Sequence, residues 1–432
     1  MIIGDIAYNY VSNGDKMDAS EQFKFLNSKF WIETTQAKYV APEKLKHLIS
    51  NYGYKRTDWN KFLGKQILSL RKINSFPLFM ESIDKKFWYF QTDEILKNVT
   101  AIEKKGEDLF RIVRSNMSFT KAFARDAQYE EAIMSAIYEG ANTTRSEAKK
   151  FISNRESPAS KAHKMVLNNF KANEWIKDNK NIPLTKEVIL RIHEIVTIDT
   201  LEKVDEPFCG KFRNDEVVVG NATIHKGIDE DLIDNAIDEA IQLITNNQRY
   251  LHPLMKGIIL HYLIAYIHPF FDGNGRTARA LFYFKCLKHG LDWVNFLSIS
   301  SALKEPGKGY ENSFKLVKEN DWDLTYFIIY SLKSLNRALD IVDKKVNKLC
   351  SIPKLKDSLS LDDTQITLLQ RLYLHTERII DVKEHATNIG KSDESARIEL
   401  KDLVAKDLLF EQKFKKKSYF IVNKEKIDEY VE

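Results

Sequence analysis

HPFFDGNGRTAR, residues 268–279, packs a histidine, an aspartate, an asparagine, two glycines and two arginines directly after the apolar run LMKGIILHYLIAYI, residues 254–267. That run is shorter than the ~20 residues a membrane-spanning helix needs. It also contains Lys256 and His261, so it reads as a buried central helix. The polar stretch after it concentrates phosphate chemistry. Gly273 and Gly275 permit positive φ and let backbone N–H groups approach a ligand closely. A glycine turn feeding a helix aims those donors and the positive helix end at one point, which suits a phosphate. With the next helix beginning near Arg276, Arg276 and Arg279 are i, i+3 neighbours able to clamp a polyphosphate. Asp272 is a hard oxygen ligand suited to Mg²⁺ alongside phosphate oxygens. Asn274 offers an amide donor, and His268, mostly neutral at pH 7, can take a proton from an attacking hydroxyl. Together these parts describe phosphoryl-type transfer, in which positioning and charge do most of the catalysis.

Outward from this stretch the chain reads as mainly α. Residues 1–100 form an α/β extension in which SFPLFMESIDKKFWYF (75–90) suggests a hairpin around its polar centre. Residues 101–345 are helix after helix. Within them EEAIMSAIYEG (130–140) spaces Ala132, Ile133, Ala136 and Ile137 helically and stops at Gly140. EVVVGNATIH (216–225) interrupts the helices as a hairpin around Gly220 and Asn221. Residues 346–361, with Pro353, read as a linker. Residues 362–432 then give helices over 362–375, 381–389 and 391–406 and two β arms, LLFEQK and KSYFIV, the pattern of a winged helix-turn-helix.

HPFFDGNGRTAR resembles the Fic signature HPFx(D/N)GNGRxxR at every specified position. GKFR (210–213), the run up to His268 and GKGYENSF (307–314) are similar to a Fic core as well, so the resemblance covers roughly residues 101–345. It implies a helical core with a β-hairpin flap that transfers AMP from ATP to a Ser, Thr or Tyr hydroxyl of a protein and releases pyrophosphate. It assigns His268 as base and Asp272 as the Mg²⁺ ligand. Gly273, Asn274 and Gly275 become the phosphate cradle, Arg276 the β-phosphate contact and Arg279 the γ-phosphate contact. Tyr310 falls beside the adenine. Val217, Val218, Val219, Ala222, Thr223 and Ile224 form the flap that positions the target. SAIYEGAN (135–142) resembles the family's inhibitory motif (S/T)xxxE(G/N). Ser135 and Glu139 then share a helix face, and Glu139 pairs with Arg279, the guanidinium that the γ-phosphate needs. In some relatives the same glutamate supports removal of AMP.

Composition narrows the partners. With 43% hydrophobic and 29% charged residues and a net charge of +5, the chain is an ordinary globular protein, without the charge excess that marks nucleic-acid or membrane binders. Cys209, Cys286 and Cys350 are too scattered for a disulfide framework or a zinc knuckle, and the first twenty residues lack a signal-peptide pattern, so a cytoplasmic location is expected. The expected partners are ATP and a target protein, or the chain itself, with no membrane; a homodimer is compatible with this. Lys413, Lys415, Lys416, Lys417 and Lys424 against Glu411 open DNA as a partner of the C-terminal module. Asp393 and Glu394 at the start of its third helix oppose that and favour protein docking or packing within the chain. The alternative reading of the whole chain is a DNA-binding regulator whose Fic core senses a nucleotide; an intact His268 favours the enzyme. His252, His261 and His268 form no H-E-x-x-H pair, so metal hydrolysis is not expected.

Overall fold

The structure, a computed structural model, describes residues 19–59, 63–115, 120–153, 156–219, 225–246, 250–304, 309–374, 379–414 and 417–431. Helices α1 (Ala19–Leu26), α2 (Pro42–Leu48) and α3 (Gly64–Ile73) lead into the antiparallel hairpin β1 (Phe76–Met80) and β2 (Lys85–Tyr89), registered from Phe76 opposite Tyr89 to Met80 opposite Lys85. A short helical turn and Asp84, at φ 47°, close the hairpin. This unit is built into the molecule. Leu324 N–H donates to Trp88 O at 2.8 Å, and Tyr39 Oη donates to the buried Asp323 carboxylate at 2.5 Å. Arg71, fully enclosed, donates to the carbonyls of Thr34 and Val40.

The core follows as α4 (Asp93–Ser115), α5 (Thr120–Tyr138), α6 (Arg145–Ser153), α7 (Lys161–Asp178) and α8 (Lys186–Thr197), then the two-residue strands β3 (Val218–Val219) and β4 (His225–Lys226). Next come α9 (Ile233–Thr245), α10 (Pro253–Ile267), α11 (Asn274–Lys288), α12 (Ile299–Lys304), α13 (Gly309–Glu319) and α14 (Thr325–Ser351). Side chains at the helix starts satisfy free N–H groups, as when Ser160 Oγ accepts from His163 N–H at 3.1 Å to open α7. α10 is apolar all round, and α11 is buried on nearly every side although it carries Arg276, Arg279 and Lys285, because the other core helices enclose them both. No helix among the described residues is long and apolar enough to cross a membrane.

The segment 346–361 differs from the expected linker. α14 continues to Ser351, short helices cover Ile352–Lys354 and Leu355–Ser358, and Val346, Leu349, Ile352 and Leu355 are buried. Pro353 sits in the first turn of a helix, where its missing N–H costs nothing. After it come α15 (Asp363–Leu374), β5 (Ile380–Asp381), α16 (Val382–Ile389), α17 (Asp393–Ala405), β6 (Leu409–Phe414), β7 (Lys417–Val422) and α18 (Lys424–Val431). The sheet order is β5-β7-β6, all antiparallel. β5 and α18 were not expected from the sequence. This end packs on the core: Gln370 Nε2 donates to Leu349 O at 3.0 Å, Lys348 pairs with Asp428 at 2.9 Å, and α15 touches α5.

Gly106 of α4 lies against the ring of Trp293, which is only 1% exposed; a Cβ there would overlap the indole. Gly106→Ala gains helix propensity of about 1 kcal/mol, but a fixed ring cannot move aside, and overpacking costs ~1–3 kcal/mol. A net loss of stability is therefore expected, read as a lower urea midpoint; an unchanged midpoint would contradict this packing.

Candidate active site

The loop between α10 and α11 is held from four sides. α10 ends on His268, whose left-handed backbone (φ 54°, ψ 59°) caps the helix while its N–H donates to Ile264 O at 3.0 Å. That conformation is uncommon for a non-glycine residue and marks a position its surroundings dictate. The ring Nδ1 lies 3.3 Å from Ala265 O, and since a carbonyl only accepts, this contact puts the proton on Nδ1 and the lone pair on Nε2. Asn274 staples the loop: its Oδ1 accepts from Phe270 N–H at 3.0 Å and its Nδ2 donates to Phe270 O at 2.7 Å. Gly273, at φ 82°, caps the start of α11, and a Cβ there would sit 2.5 Å from Thr197 Cγ2.

Two residues from outside the loop complete its support. His193 of α8 stacks on Phe270 at 3.6 Å with nearly parallel rings. Its Nδ1 accepts from Gly210 N–H at 3.1 Å, which leaves Nε2–H to donate to Asp272 O at 3.0 Å. Burial pushes His193 down to about 4, so the ring is neutral in the native state. Arg213 donates from Nε to His268 O at 2.9 Å, from Nη1 to Asp215 O at 2.6 Å and from Nη2 to Ile228 O. It thus ties the loop to both ends of the β3–β4 hairpin, where Val218 stands opposite Lys226 and Val219 opposite His225.

Facing this loop is the end of α5. Arg279, 2% exposed, donates from Nη2 to Glu139 Oε1 at 2.8 Å and to Ser135 Oγ at 3.0 Å, and from Nε to Ser135 Oγ at 3.1 Å. Burial disfavours its charge, and Glu139, Tyr310 and Glu131 together more than offset that. The same carboxylate lies on Gly275, where any Cβ would overlap Glu139 Oε1. Glu139 therefore occupies the N-terminal mouth of α11, the place a helix offers to an anion. About two turns before Glu139 on α5, the buried carboxylate of Glu131 accepts from Ser300 N–H at 3.0 Å and Ser300 Oγ at 2.7 Å, at the start of α12. It adds to the negative field on Arg279.

The glycine-lined helix mouth, with His268 at one end and the enclosed Arg279 at the other, lies in a stretch shared with a known family. Residues 183–285 match the model of the Fic/DOC family. This chain carries a Fic domain. It is 25% identical over 245 residues to "Protein adenylyltransferase Fic" of Nematostella vectensis, covering 55% of this chain and 54% of that protein. It is 27% identical over 252 residues to the protein of the same name from Aedes aegypti, covering 57% and 47%. The chain thus spans about half the length of the curated relatives it matches. The fold resembles the crystal structure of a Fic family protein from Desulfovibrio desulfuricans G20, at TM-score 0.53 and 17% identity over 78% of this chain and 98% of that one.

Around the loop, several side chains are committed to partners within the chain. α11 starts at Asn274, two residues earlier than expected, because Gly273 is its cap. The Asn274 Oδ1 and one Nδ2 hydrogen are engaged by the backbone of Phe270, so its side chain holds the loop. Arg276, 1% exposed, points inward: it donates to Val196 O at 2.8 Å and pairs with Asp272 Oδ2 at 3.0 Å. The i, i+3 spacing put both arginines on neighbouring positions, but α8 takes one and α5 the other. Tyr310 lies against His261 Nε2 through its hydroxyl at 2.9 Å and meets Tyr138 edge-on at 5.8 Å. Val217 O accepts from Gly227 N–H at 3.3 Å, at the base of the hairpin; Ala222, Thr223 and Ile224 fall outside the described residues. His193, Arg213 and Glu131 were not singled out from the sequence.

His193 supplies a test. Its native value near 4 lies below the ordinary 6.5, so protons bind preferentially to the unfolded chain. The stability it secures is complete above pH 6.5 and falls as pH drops from there toward 4, by about 2 kcal/mol at pH 5. The melting temperature is expected to fall from pH 7 to pH 5, and His193→Gln should flatten that fall. An equal fall in both proteins would contradict the neutral, loop-bracing role.

Proposed function

We propose that this chain is a protein adenylyltransferase that moves AMP from ATP to a Ser, Thr or Tyr hydroxyl of a target protein and that Glu139 holds back. The observation that carries the reading is the Glu139 carboxylate seated between Arg279 and Gly275, an acid in the place where the base, cradle and arginine would present a polyphosphate. The curated relatives named protein adenylyltransferase support the same reaction. His268 Nε2 takes the proton of the target hydroxyl. That oxygen bonds to the α-phosphorus, the bond to the bridging oxygen breaks, and pyrophosphate leaves. The N–H groups at the start of α11 and the Arg279 guanidinium steady the charge on the phosphates. Arg276 acts by holding Asp272.

Mg²⁺ fits this site through Asp272, whose carboxylate is partly exposed; one carboxylate plus phosphate oxygens is the set that ion commonly takes. Bound there, it would neutralise charge on the phosphates. The β3–β4 hairpin lies next to His268 through Arg213 and suits an extended target segment added along its edge. Residues 1–100, 101–345 and 362–432 serve as extension, Fic core and winged helix-turn-helix module in this reading, with the inhibitory helix being the second half of α5. For that module docking is favoured over DNA, since Lys401 is already paired with Glu411 at 2.5 Å and the module packs on the core. Free Cys209, Cys286 and Cys350 suit a cytoplasmic setting.

The charge-assisted bonds from Arg279 to Glu139 correspond to ~1.5–3 kcal/mol, so Glu139→Gly should raise AMP incorporation roughly 10- to 100-fold. His268→Ala should abolish it even with Glu139→Gly present. Labelled ATP and protein-bound counts measure both. Equal labelling by wild type and Glu139→Gly would remove the brake, and labelling that survives His268→Ala would remove the mechanism. ATP binding without labelling in any variant would favour the nucleotide-sensing regulator.

A further inference from the structure

Deeply enclosed cations in this fold have partners. Arg71 has backbone carbonyls, Lys149 has Asp126 at 3.0 Å and Glu130 at 3.3 Å, Arg276 has Asp272, and Arg279 has Glu139. Lys285 is the exception. It lies on α11, is 2% exposed, and no hydrogen bond or ion pair engages its ammonium among the described residues. The charged neighbours acting on it are Lys256 and Lys288, with Cys286 beside it and no carboxylate among them.

The surroundings concentrate this positive field. α10 and α11 run antiparallel and approach so closely that a Cβ on Gly257 would lie 3.2 Å from Cys286 Sγ. Lys256, 5% exposed, therefore flanks the turn of α11 that carries Lys285, and the N-terminus of α10 lies at the same end. Lys288, the last residue of α11, donates to Asn181 O at 3.0 Å and Ile182 O at 2.7 Å, carbonyls of the segment between α7 and α8. Lys285 sits one turn deeper and makes no such bond. His289 is pushed down by burial and by Lys285, Lys256 and Lys288, so the field extends past the helix end. Like charges gathered without a counter-charge repel one another, and a missing counter-ion is what a ligand can supply.

We propose that Lys256, Lys285, Lys288 and His289 form a binding site for a small, multiply charged oxyanion of the phosphate class, lodged where α10 begins and α11 ends. Lys285 is roughly 17 Å along α11 from Asn274, so the site is separate from the helix mouth that Glu139 fills. Burial, then Lys256 and Lys288, push Lys285 down to about 8, and the anion requires the ammonium form.

Thermal melting of the full chain tests this, comparing inorganic phosphate with sodium chloride at equal ionic strength. At pH 7, wild type should show a saturable rise in melting temperature with phosphate beyond that with chloride. Lys285→Met and Lys256→Met should lose the rise, Lys285→Arg should keep it, and at pH 9.5 it should shrink. No rise beyond chloride in wild type would overturn the site whatever the variants do. A rise of undiminished size in Lys285→Met would place phosphate elsewhere, for example in the α11 mouth, and would overturn it equally.

Discussion

An enclosed guanidinium has to be paired, and in this fold the constraint falls on Arg279. Its side chain is surrounded by α5, and the bonds that satisfy it come from Ser135 and Glu139. Leaving such a cation unpaired would cost several kcal/mol, so the native chain keeps the carboxylate in place. A polyphosphate can release that carboxylate only by offering an equal or better partner. In the proposed mechanism the same physical demand makes the brake hold and makes ATP able to compete with it.

Competition of this kind needs a receptor that does not deform. The loop from His268 to Gly273 is fixed by the Asn274 staple, the His193 stack and the three carbonyl bonds of Arg213. None of these groups has to touch a nucleotide. Together they hold the His268 backbone in a left-handed conformation and keep the start of α11 aimed at the same point. In the proposed reaction such preorganisation would let the helix mouth stabilise charge with little rearrangement.

How far the sequence revealed this depends on where each partner lies along the chain. The helical fold and the Fic domain were legible because their signals are local: apolar spacing for the helices and a contiguous HPFFDGNGRTAR for the loop. The directions of side chains within that loop were not. Spacing places Arg276 and Arg279 on α11 but cannot say that Val196 draws one inward while Ser135 draws the other across. Asn274 looked like a free amide because its acceptor and donor are the backbone of Phe270, four residues back, in a turn with no pattern of its own. His193 reads as one more residue on an apolar helix face until Gly210 and Asp272 are seen at its two nitrogens. Pro353 read as a break because its place in a helical first turn shows only when the fold is built.

The placement of Glu139 on its helix bears on how the proposed brake could open. α5 is anchored along its length: buried Asp126 pairs with Lys149 and Lys345, and Glu131 takes bonds from Ser298 and Ser300. Withdrawing the helix would break these together, at about 3–5 kcal/mol for the Asp126 cluster alone. Glu139 instead lies beyond the last full turn, just before Gly140 at φ 86°, with a side chain 23% exposed. Turning that one side chain outward breaks the bond to Arg279 and leaves every other anchor intact. The cheaper route is therefore local, with α5 remaining in place as Glu139 yields to the incoming phosphate. Ser135, one turn back, keeps its bonds to Arg279 in that rotation, so the guanidinium stays aimed at the site it is to serve.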